Sequence, residues 1–520
     1  GNHLDLHSFP TRRSSDLFLS NSFIFVNYNL GGFSAGFRYE AYLNPMLGFD
    51  PLYKGSGFAY RFAEYKADEI DITAGNFYEQ FGSGLIFRAY EERQLGFDNS
   101  VDGARIKFRP VDGIEITGLI GKQRTFWNTG AGLVRGGDLN LQVNDMFASL
   151  LPDDFQLKLG ASLVSKYQAD NESYYNLPEN VMAWAARANL TGSSYNFEVE
   201  YAYKNPDPNA TNSFSFNPGH GLILSGSYFE QGFGININLH GIDNMGFRSD
   251  REVKGNILNM NFIPPLTKMQ GYSLSNIYPY ATQMNGEIGL QAEVTYTFPK
   301  NSFLGGEYGM TVNANYSRVQ TIDTSSKADL TYNSTWINPM DVFSPDRRLL
   351  FQEASLEFNR KISSDLKTKL TLILGLYNKD VLEKEGAVHY GMVNSFASIF
   401  EFTLKTAVKQ ALRMELQHLW ADQDRELKEP DNNNGSWLTA LAEYTIAPHW
   451  YFTILDEYNY GNEFENKQLH YYSLAAAYIT GSTRVSLSFG RQRGGLICVG
   501  GICRPVPAAS GLSFSITSSF

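Results

Sequence analysis

The C-terminal residues 511–520 read Gly-Leu-Ser-Phe-Ser-Ile-Thr-Ser-Ser-Phe, and this stretch points to the fold class. Its apolar side chains share one parity and its small polar side chains share the other: Leu512, Phe514, Ile516 and Phe520 against Ser513, Ser515, Thr517 and Ser519. Successive side chains of a β-strand point to opposite faces of the sheet. The stretch therefore predicts a strand with one apolar face and one small polar face.

The same alternation recurs along the chain. Further stretches that show it are residues 104–109, 156–163, 195–203, 235–240 and 484–489. No run of about 18 apolar residues is present, so the sequence does not predict a membrane-spanning helix. The pattern predicts an all-β protein with many strands.

Short connections alternate with long polar ones between these stretches. The short connections lie near residues 30–32, 66–69, 110–113, 149–154, 191–193, 229–232, 299–306, 361–365, 405–410, 446–449 and 480–482. The long connections lie near residues 79–100, 124–136, 168–180, 204–218, 243–285, 320–348, 378–390, 421–434 and 459–469. This alternation predicts antiparallel hairpins closed into one large barrel, and it divides the chain into about 23 strands.

The terminal strand ending on Phe520, together with this alternation, resembles Gram-negative outer-membrane β-barrel proteins, of an uncharacterised barrel family. The resemblance covers residues 18–520. It implies an all-β fold made of a single large antiparallel transmembrane β-barrel, with short periplasmic turns and long extracellular loops. It also implies an integral protein of the cell outer membrane. Phe489, Phe514 and Phe520 are then expected to face lipid.

Residues 1–17 differ from the rest of the chain. The run LHSFPTRRSSDL at residues 6–17 looks like translated sequencing-adapter DNA, so we expect the segment to be non-native. No signal peptide is visible, and we expect it to be missing from this chain. Single-chain bacterial barrels have an even number of strands with both ends periplasmic. An odd visible count therefore predicts one missing ascending strand before Ser20 and about 24 native strands.

Charge and motif content argue against several functional classes. The net charge of −11 disfavours a nucleic-acid partner, which would require a basic stripe. The histidines are scattered, and none lies in a Gly-x-Ser-x-Gly or His-Glu-x-x-His context. The sequence thus predicts neither an enzyme nor a bound cofactor or metal ion.

The two cysteines, Cys498 and Cys503, lie in the motif Cys-Val-Gly-Gly-Ile-Cys. Because its two glycines suit a tight turn, we expect a disulfide across an extracellular hairpin, which requires an oxidising compartment. A pair of free thiols is the alternative. A zinc site would need further ligands that this segment lacks.

Charged side chains share one face on each of two predicted strands. Arg105, Lys107 and Arg109 do so on one strand, and Glu198 and Glu200 do so on another. Unpaired charges at mid-bilayer are costly, so we expect all five to face the barrel lumen. They either line a water-filled interior or pair with one another in a plugged barrel.

A second set of charges lies in the long connection 79–100. Its members are Arg88, Glu91, Glu92 and Arg93. A folded-in loop that carries such charges would constrict a pore and set its selectivity. An ordinary solvated loop is the alternative.

Three functional readings fit these observations. Charged strand faces in a wide barrel favour a channel or transporter-like pore for small polar solutes. The alternative is a plugged barrel that acts in outer-membrane binding or assembly, with surface loops that engage a partner or glycan. A third reading is the barrel of a TonB-dependent receptor whose plug is missing. The expected partners are outer-membrane lipid and another outer-membrane or periplasmic protein.

Overall fold

A computed structural model describes residues 18–147, 152, 154–171, 174, 176–322, 337–382, 391–424, 433–499 and 502–520. The adapter-like segment and the strand expected before Ser20 lie outside these described residues. Parts of the long connections 320–348, 378–390 and 421–434 lie outside them as well.

Most described residues belong to β-strands. In chain order the strands are β1 (Ser20–Leu30), β2 (Phe33–Asn44), β3 (Gly55–Lys66), β4 (Ile70–Phe77), β5 (Glu79–Phe81), β6 (Phe87–Ala89), β7 (Glu91–Glu92), β8 (Phe97–Asp98), β9 (Val101–Phe108), β10 (Ile114–Thr125), β11 (Asn128–Gln142), β12 (Gln156–Tyr167), β13 (Asn180–Thr191), β14 (Tyr195–Lys204), β15 (Gly219–Glu230), β16 (Phe233–Asp243), β17 (Glu287–Phe298), β18 (Met310–Gln320), β19 (Leu349–Lys361), β20 (Leu366–Asn378), β21 (Met392–Ala407), β22 (Gln410–Asp424), β23 (Trp437–Ile446), β24 (Trp450–Tyr458), β25 (His470–Thr480), β26 (Thr483–Gln492), β27 (Gly495–Val499), β28 (Ile502–Val506) and β29 (Ala509–Thr517).

Helices are few and short in the part of the chain that the structure describes. The α-helical turns are α1 (Val143–Met146) and α2 (Lys379–Leu382), and the 3₁₀ turns are Pro51–Tyr53, Arg93–Leu95, Leu274–Asn276, Pro339–Phe343 and Glu465–Lys467. Within the described ranges, no helix is long and apolar enough to cross a membrane.

A single antiparallel sheet of 23 strands dominates the fold and confirms the predicted all-β, antiparallel architecture. Three small hairpins, β5–β6, β7–β8 and β27–β28, stand apart from it. The remaining 23 strands pair in chain order from β1 to β29. Where a small hairpin intervenes, the pairing skips it, so β4 pairs with β9 and β26 pairs with β29. Because the number of strands is odd, β1 and β29 run in the same direction. Among the described residues, each of these two strands pairs on one side only.

One predicted long connection is wrong. Residues 124–136 were expected to form a loop, but β10 and β11 continue through them and leave only Phe126 and Trp127 between the strands. Thr125 pairs with Asn128, and a register shift after Lys122 absorbs the extra length. The polar composition of this stretch is typical of a loop and led to the wrong prediction. Its backbone groups instead pair as a long hairpin.

The sheet has two chemically different faces. On one face large apolar side chains are exposed, as with Ile106 at 45%, Phe197 at 56% and Leu374 at 59%. On the other face polar side chains such as Thr73 and Thr117 are buried. We call these the outer face and the inner face.

The sheet curves strongly around its inner face. Arg124 on β10 contacts Glu40 on β2 at 2.7 Å, although β3, β4 and β9 lie between them. In a flat sheet four strand spacings would separate β2 from β10 by about 19 Å. Side chains perpendicular to a flat sheet could not meet across that distance, so the two strands must face each other across a concave surface.

Candidate functional site: two loops folded onto the inner face

Two long connections fold onto the inner face. Inner loop 1 is residues 78–100, between β4 and β9, and inner loop 2 is residues 244–286, between β16 and β17. Together we call them the plug. The plug covers the half of the wall nearest the long connections: along β13, for example, Val181, Ala183 and Ala185 are buried, whereas the residues toward its short turn are half-buried.

The two inner loops bind each other through backbone and side-chain contacts. The Arg88 N–H donates to the Met260 carbonyl at 2.7 Å, and the Phe262 N–H donates to the Gly84 carbonyl at 3.1 Å. The Asn261 amide donates to the Leu85 carbonyl at 3.0 Å. The two loops therefore form one body, although they are far apart in the chain.

An apolar core joins this body to the wall. From the plug it contains Phe81, Leu85, Ile86, Phe87, Ala89, Met245, Phe247, Met260 and Ile263. From the wall it contains Phe77, Val101, Leu119, Val134, Val164, Val181, Ala183, Ala185, Ala202 and Ile242. These wall residues come from strands β4 to β16, so one side of the wall holds the plug by apolar burial.

Inner loop 2 then crosses to other strands of the same sheet. Tyr272, Leu274 and Ile277 pack in a second buried cluster with side chains of β20 to β25, including Trp437 and Tyr471. The stretch 264–280, which we call the arm, thus links two parts of the concave surface. The arm therefore contacts two groups of strands that are far apart in the sheet.

Polar contacts fix the arm at its end. The Leu274 N–H donates to the Gln417 side-chain oxygen on β22 at 3.0 Å. The Tyr280 hydroxyl donates to the Glu287 carboxylate, which also contacts His240 at 2.5 Å. Burial, together with the charge of Glu287, raises the pKa of Tyr280 well above its usual value, so this hydroxyl remains a donor at neutral pH.

A charge-balanced ion network attaches inner loop 1 to the wall. It contains three arginines and three carboxylates: Arg38, Arg93 and Arg124 with Glu40, Glu91 and Asp98. These side chains line a small cavity. Burial alone would raise the pKa of Asp98, but Arg124 and Arg38 outweigh it and hold that pKa below its usual value.

The predicted lumenal cations lie on the inner face and are all paired. The Arg105 guanidinium contacts Glu64 and Glu79 at 3.0 Å each, and Lys107 contacts Glu79 at 2.9 Å. Because Glu79 belongs to inner loop 1, these pairs connect the plug to β9. Arg109 lies nearer the short turn and contacts Asp71 at 2.8 Å and Glu115 at 2.9 Å.

The two predicted lumenal glutamates differ in their surroundings. Glu198 is half-buried on the inner face, toward the short turn. Glu200 is fully buried and accepts a hydrogen bond from the Ser83 N–H of inner loop 1 at 2.8 Å. A side chain at Gly82 would lie 2.6 Å from this carboxylate, and the backbone there has φ +53°. Glycine is therefore required where inner loop 1 turns over Glu200.

The four predicted pore-loop residues belong to inner loop 1, and their role at a pore stays a prediction. Arg88 stacks between the rings of Tyr90 and Phe262, at 4.4 and 4.5 Å from their centroids. Glu91 contacts Arg38 in the ion network, and Arg93 contacts Glu91. Glu92 accepts from the Gln94 N–H and caps a 3₁₀ turn. Arg88 and Glu91 thus join the plug to itself and to the wall.

The two cysteines lie on β27 and β28, which pair as antiparallel strands on the same side as the long connections. Cys498 and Cys503 lie directly opposite each other in their register. Such a pair brings the two Cα atoms within the range that a disulfide spans. The bond itself stays a prediction. The three phenylalanines expected to face lipid are exposed, with Phe489 and Phe514 on the outer face at 49% and 66%.

Several residues of the site were missed in the sequence. Arg38, Glu40 and Arg124 form the centre of the ion network, yet each sits in an ordinary alternating strand. Their partnership depends on curvature, which brings β2 opposite β10. Within the described part of the chain, no group of three or more His, Cys, Asp or Glu side chains could hold a metal ion.

The family described as "Family of unknown function (DUF6029)" matches residues 5–520. The chain belongs to this family. No match to curated protein sequences was found.

Three solved structures illustrate what this member of the DUF6029 family is similar to. They are the P pilus usher (PapC) translocation pore, with 10% identity over 95% of this chain and 94% of that chain and a TM-score of 0.42; the outer membrane transporter YddB from Escherichia coli, with 8% identity over 96% and 76% and a TM-score of 0.39; and the siderophore receptor PirA from Pseudomonas aeruginosa, with 9% identity over 96% and 80% and a TM-score of 0.39. At such low identities and TM-scores, the likeness carries no conclusion about this chain.

Proposed function

We propose that the chain forms a transporter-like β-barrel in the outer membrane of a Gram-negative bacterium, and that its plug holds the barrel closed at rest. The exposed apolar outer face supports a lipid-facing wall, because alternation of an apolar outside with a polar inside is typical of membrane barrels. Short turns would then lie in the periplasm and long connections at the cell surface.

The crossing arm is the observation that carries this proposal. It packs Tyr272, Leu274 and Ile277 against β20 to β25, while the rest of the plug packs against β4 to β16. A constriction that only narrowed a pore would attach to one wall. An element that spans the concave surface instead favours closure.

Burial makes spontaneous opening rare. Each of the three buried arm side chains contributes roughly 1.5–3 kcal/mol, so their release costs about 5 kcal/mol or more. A two-state gate with a gap of about 5.5 kcal/mol is open roughly one time in ten thousand. Opening would therefore depend on a ligand or partner that binds the open state more tightly.

The space between the plug and the short turns suits small polar solutes. Its walls carry half-buried amides and carboxylates, and the amides bond one another, as Asn238 does with Asn236 at 2.7 Å and Asn189 with Asn196 at 3.0 Å. Amide-lined surfaces exchange hydrogen bonds with polar solutes at little cost. We expect this vestibule to be open to the periplasm.

Single-channel recording with and without the arm tests the proposal. The Thr282 hydroxyl donates to the Ile263 carbonyl at 2.9 Å, so the ends of the arm are already close. Residues 264–280 can therefore be replaced by Gly-Ser-Gly without stretching the flanking backbone. We expect the full-length protein to insert into a planar bilayer with few openings, and the variant to show stable ohmic steps.

A matched control shortens the connection 299–309, which joins β17 and β18 at the opposite end of the wall. This control should behave like the unaltered protein. Stable conductance of the unaltered protein would contradict closure at rest. Silence of the arm variant, despite insertion shown by flotation with vesicles, would contradict transport.

The extent of plug burial also favours a second candidate, an outer-membrane binding or assembly component. A plug with a continuous apolar core can hold the wall rigid and present the long connections to a partner. Silence of both the unaltered protein and the arm variant is the result that this candidate predicts.

A further inference from the structure

The described part of one long connection lies on the outer face and not on the inner face. Residues 337–343, between β18 and β19, lie against the outer face near the long-connection end, and we call this segment the foot. Ile337 and Val342 of the foot are buried against Leu222 on β15 and Ile288 on β17. The foot therefore covers part of a surface that is otherwise exposed and apolar.

The foot is seated in a specific position. A Cβ at Gly241 would come within 2.2 Å of the Ile337 side chain. The foot can therefore pack on β16 only because position 241 is glycine. The Gln320 amide donates to the Asp341 carbonyl at 2.6 Å and to the Ser344 carbonyl at 3.2 Å. These contacts hold the 3₁₀ turn flat on the wall.

The opposite side of the foot is apolar and exposed. Met340 is 67% exposed and Phe343 is 61% exposed, on the same outer face that exposes Tyr316 and Leu356. The Asp341 carboxylate accepts from the Asn338 amide beside them. The foot thus adds a raised apolar ridge to the outer face.

An arginine lies beside the foot on the same face. Arg318 shares the parity of the exposed Tyr316 and lies two residues before the end of β18. Its guanidinium donates to the Gln352 oxygen at 2.7 Å and to the Gln320 oxygen at 3.2 Å. Among the described residues, Arg318 has no carboxylate within ion-pair distance.

We propose that the foot and Arg318 bind an anionic, phosphate-bearing lipid of the outer leaflet. This inference rests on the proposed membrane location. Among the described residues only the amide oxygens of Gln352 and Gln320 accept from this guanidinium, so on a lipid-facing surface its charge favours an anion near the membrane interface, and phosphate matches its fork of donors. Met340 and Phe343 would contact the acyl chains of the same lipid. Continuity with the apolar outer face favours lipid over a soluble partner.

Titration with phosphatidylglycerol tests the arginine contact. The lipid is added to the purified full chain in neutral detergent, and the first bound molecule is followed by native mass spectrometry, with phosphatidylcholine as the reference lipid. Arg318→Gln should weaken phosphatidylglycerol binding by roughly tenfold, the equivalent of one charge-assisted contact. Arg360→Gln is the matched control, because Arg360 is an exposed arginine of the outer face at the short-turn end of β19. Its effect should stay within about twofold.

A second pair of variants tests the ridge. The double variant Met340→Ser, Phe343→Ser should lower the affinity for the first bound phosphatidylglycerol by at least fivefold. Phe303→Ser is the control, because Phe303 is 99% exposed in a short turn, and it should leave this affinity unchanged. Equal effects of Arg318→Gln and Arg360→Gln, or equal binding of both lipids, would overturn the inference. A change of oligomeric state in the ridge variant would also overturn it, because the ridge would then be a protein interface. Failure to float with vesicles would instead contradict the proposed membrane location.

Discussion

Replacement of Arg124 by methionine tests whether the ion network holds inner loop 1 on the wall. Arg124 is only 4% exposed and contacts Glu40 at 2.7 Å and Asp98 at 2.6 Å. Methionine keeps an apolar stem of similar reach but removes the charge. Glu40 and Asp98 would then remain buried with Arg38 as their shared counterion.

The magnitude follows from burial. Removing one partner of a buried ion pair costs about 3–5 kcal/mol, because a charge is left uncompensated. Glu40 belongs to the wall and Asp98 to inner loop 1, so we assign about half of this cost to loop docking. A loss of about 2 kcal/mol raises the undocked fraction of inner loop 1 roughly thirtyfold.

Hydrogen exchange of inner loop 1 measures that fraction. The Tyr90 N–H donates to the Asn99 side chain at 2.7 Å, and the Asn99 N–H donates to the Tyr90 carbonyl at 3.3 Å. Protection of both amides should fall roughly thirtyfold in the Arg124→Met variant, in line with a 2 kcal/mol loss. Arg61→Met is the matched control, since the Arg61 side chain is 64% exposed and pairs with Asp102 on the outer face, away from inner loop 1. Exposed pairs contribute about 0–1 kcal/mol.

Two results would refute this reasoning. One is unchanged protection in the Arg124→Met variant, which would mean that apolar burial alone holds the loop. The other is equal loss of protection in Arg61→Met, which would indicate a general charge effect. Asp98→Asn in the Arg124→Met background should recover part of the protection, because it removes the orphaned charge, and that coupling identifies the pair.

Three further predictions concern the same loops. Gly82→Val should loosen inner loop 1 by about 1–3 kcal/mol, seen as faster exchange of its amides, because the new side chain meets Glu200 at a left-handed backbone position. The Cys498→Ser, Cys503→Ser variant should lose a reduction-dependent gel shift that the unaltered protein shows, and absence of the shift in the unaltered protein would contradict the disulfide. The pKa of Asp98 is lower in the folded protein than its unfolded value of about 3.9. The Asp98 carboxylate therefore stabilises the docked loop fully above about pH 3.9. This stabilisation is lost only as the pH falls through the lower folded-state pKa. Inner loop 1 protection should therefore be flat from pH 7 to about 4.5, and a decline near pH 6 would contradict this assignment.

Strand positions could be predicted from the sequence because alternation is a local property. The first strand was expected near Ser20, and β1 begins there. The length of the β10–β11 hairpin could not be predicted, since a stretch with glycines such as Gly136 and Gly137 fits a loop as well as a strand. Whether this stretch forms a strand depends on its pairing with β12, which cannot be predicted from composition.

The site was only partly predictable for a related reason. Arg88 and Glu91 could be predicted as candidates because charged residues stand out in a long connection. Arg38 and Arg124 could not, because inward charges are ordinary in an alternating strand. Their pairing is a product of sheet curvature, which arises from all the strands together. The position of the foot could not be predicted either, because Ile337 packs where Gly241 has no side chain.

The contact between the two inner loops has a consequence for assembly. The Asn261–Leu85 hydrogen bond joins residues separated by 176 positions, and the strands from β9 to β16 must register before these loops can meet. Contacts that close such long loops form late, because their entropic cost precedes their gain. If the chain inserts into the outer membrane as proposed, the wall would therefore exist for a time around a hydrated, unobstructed interior. A newly made barrel should leak ions briefly, and completion of the plug would mark the moment at which the membrane is sealed again.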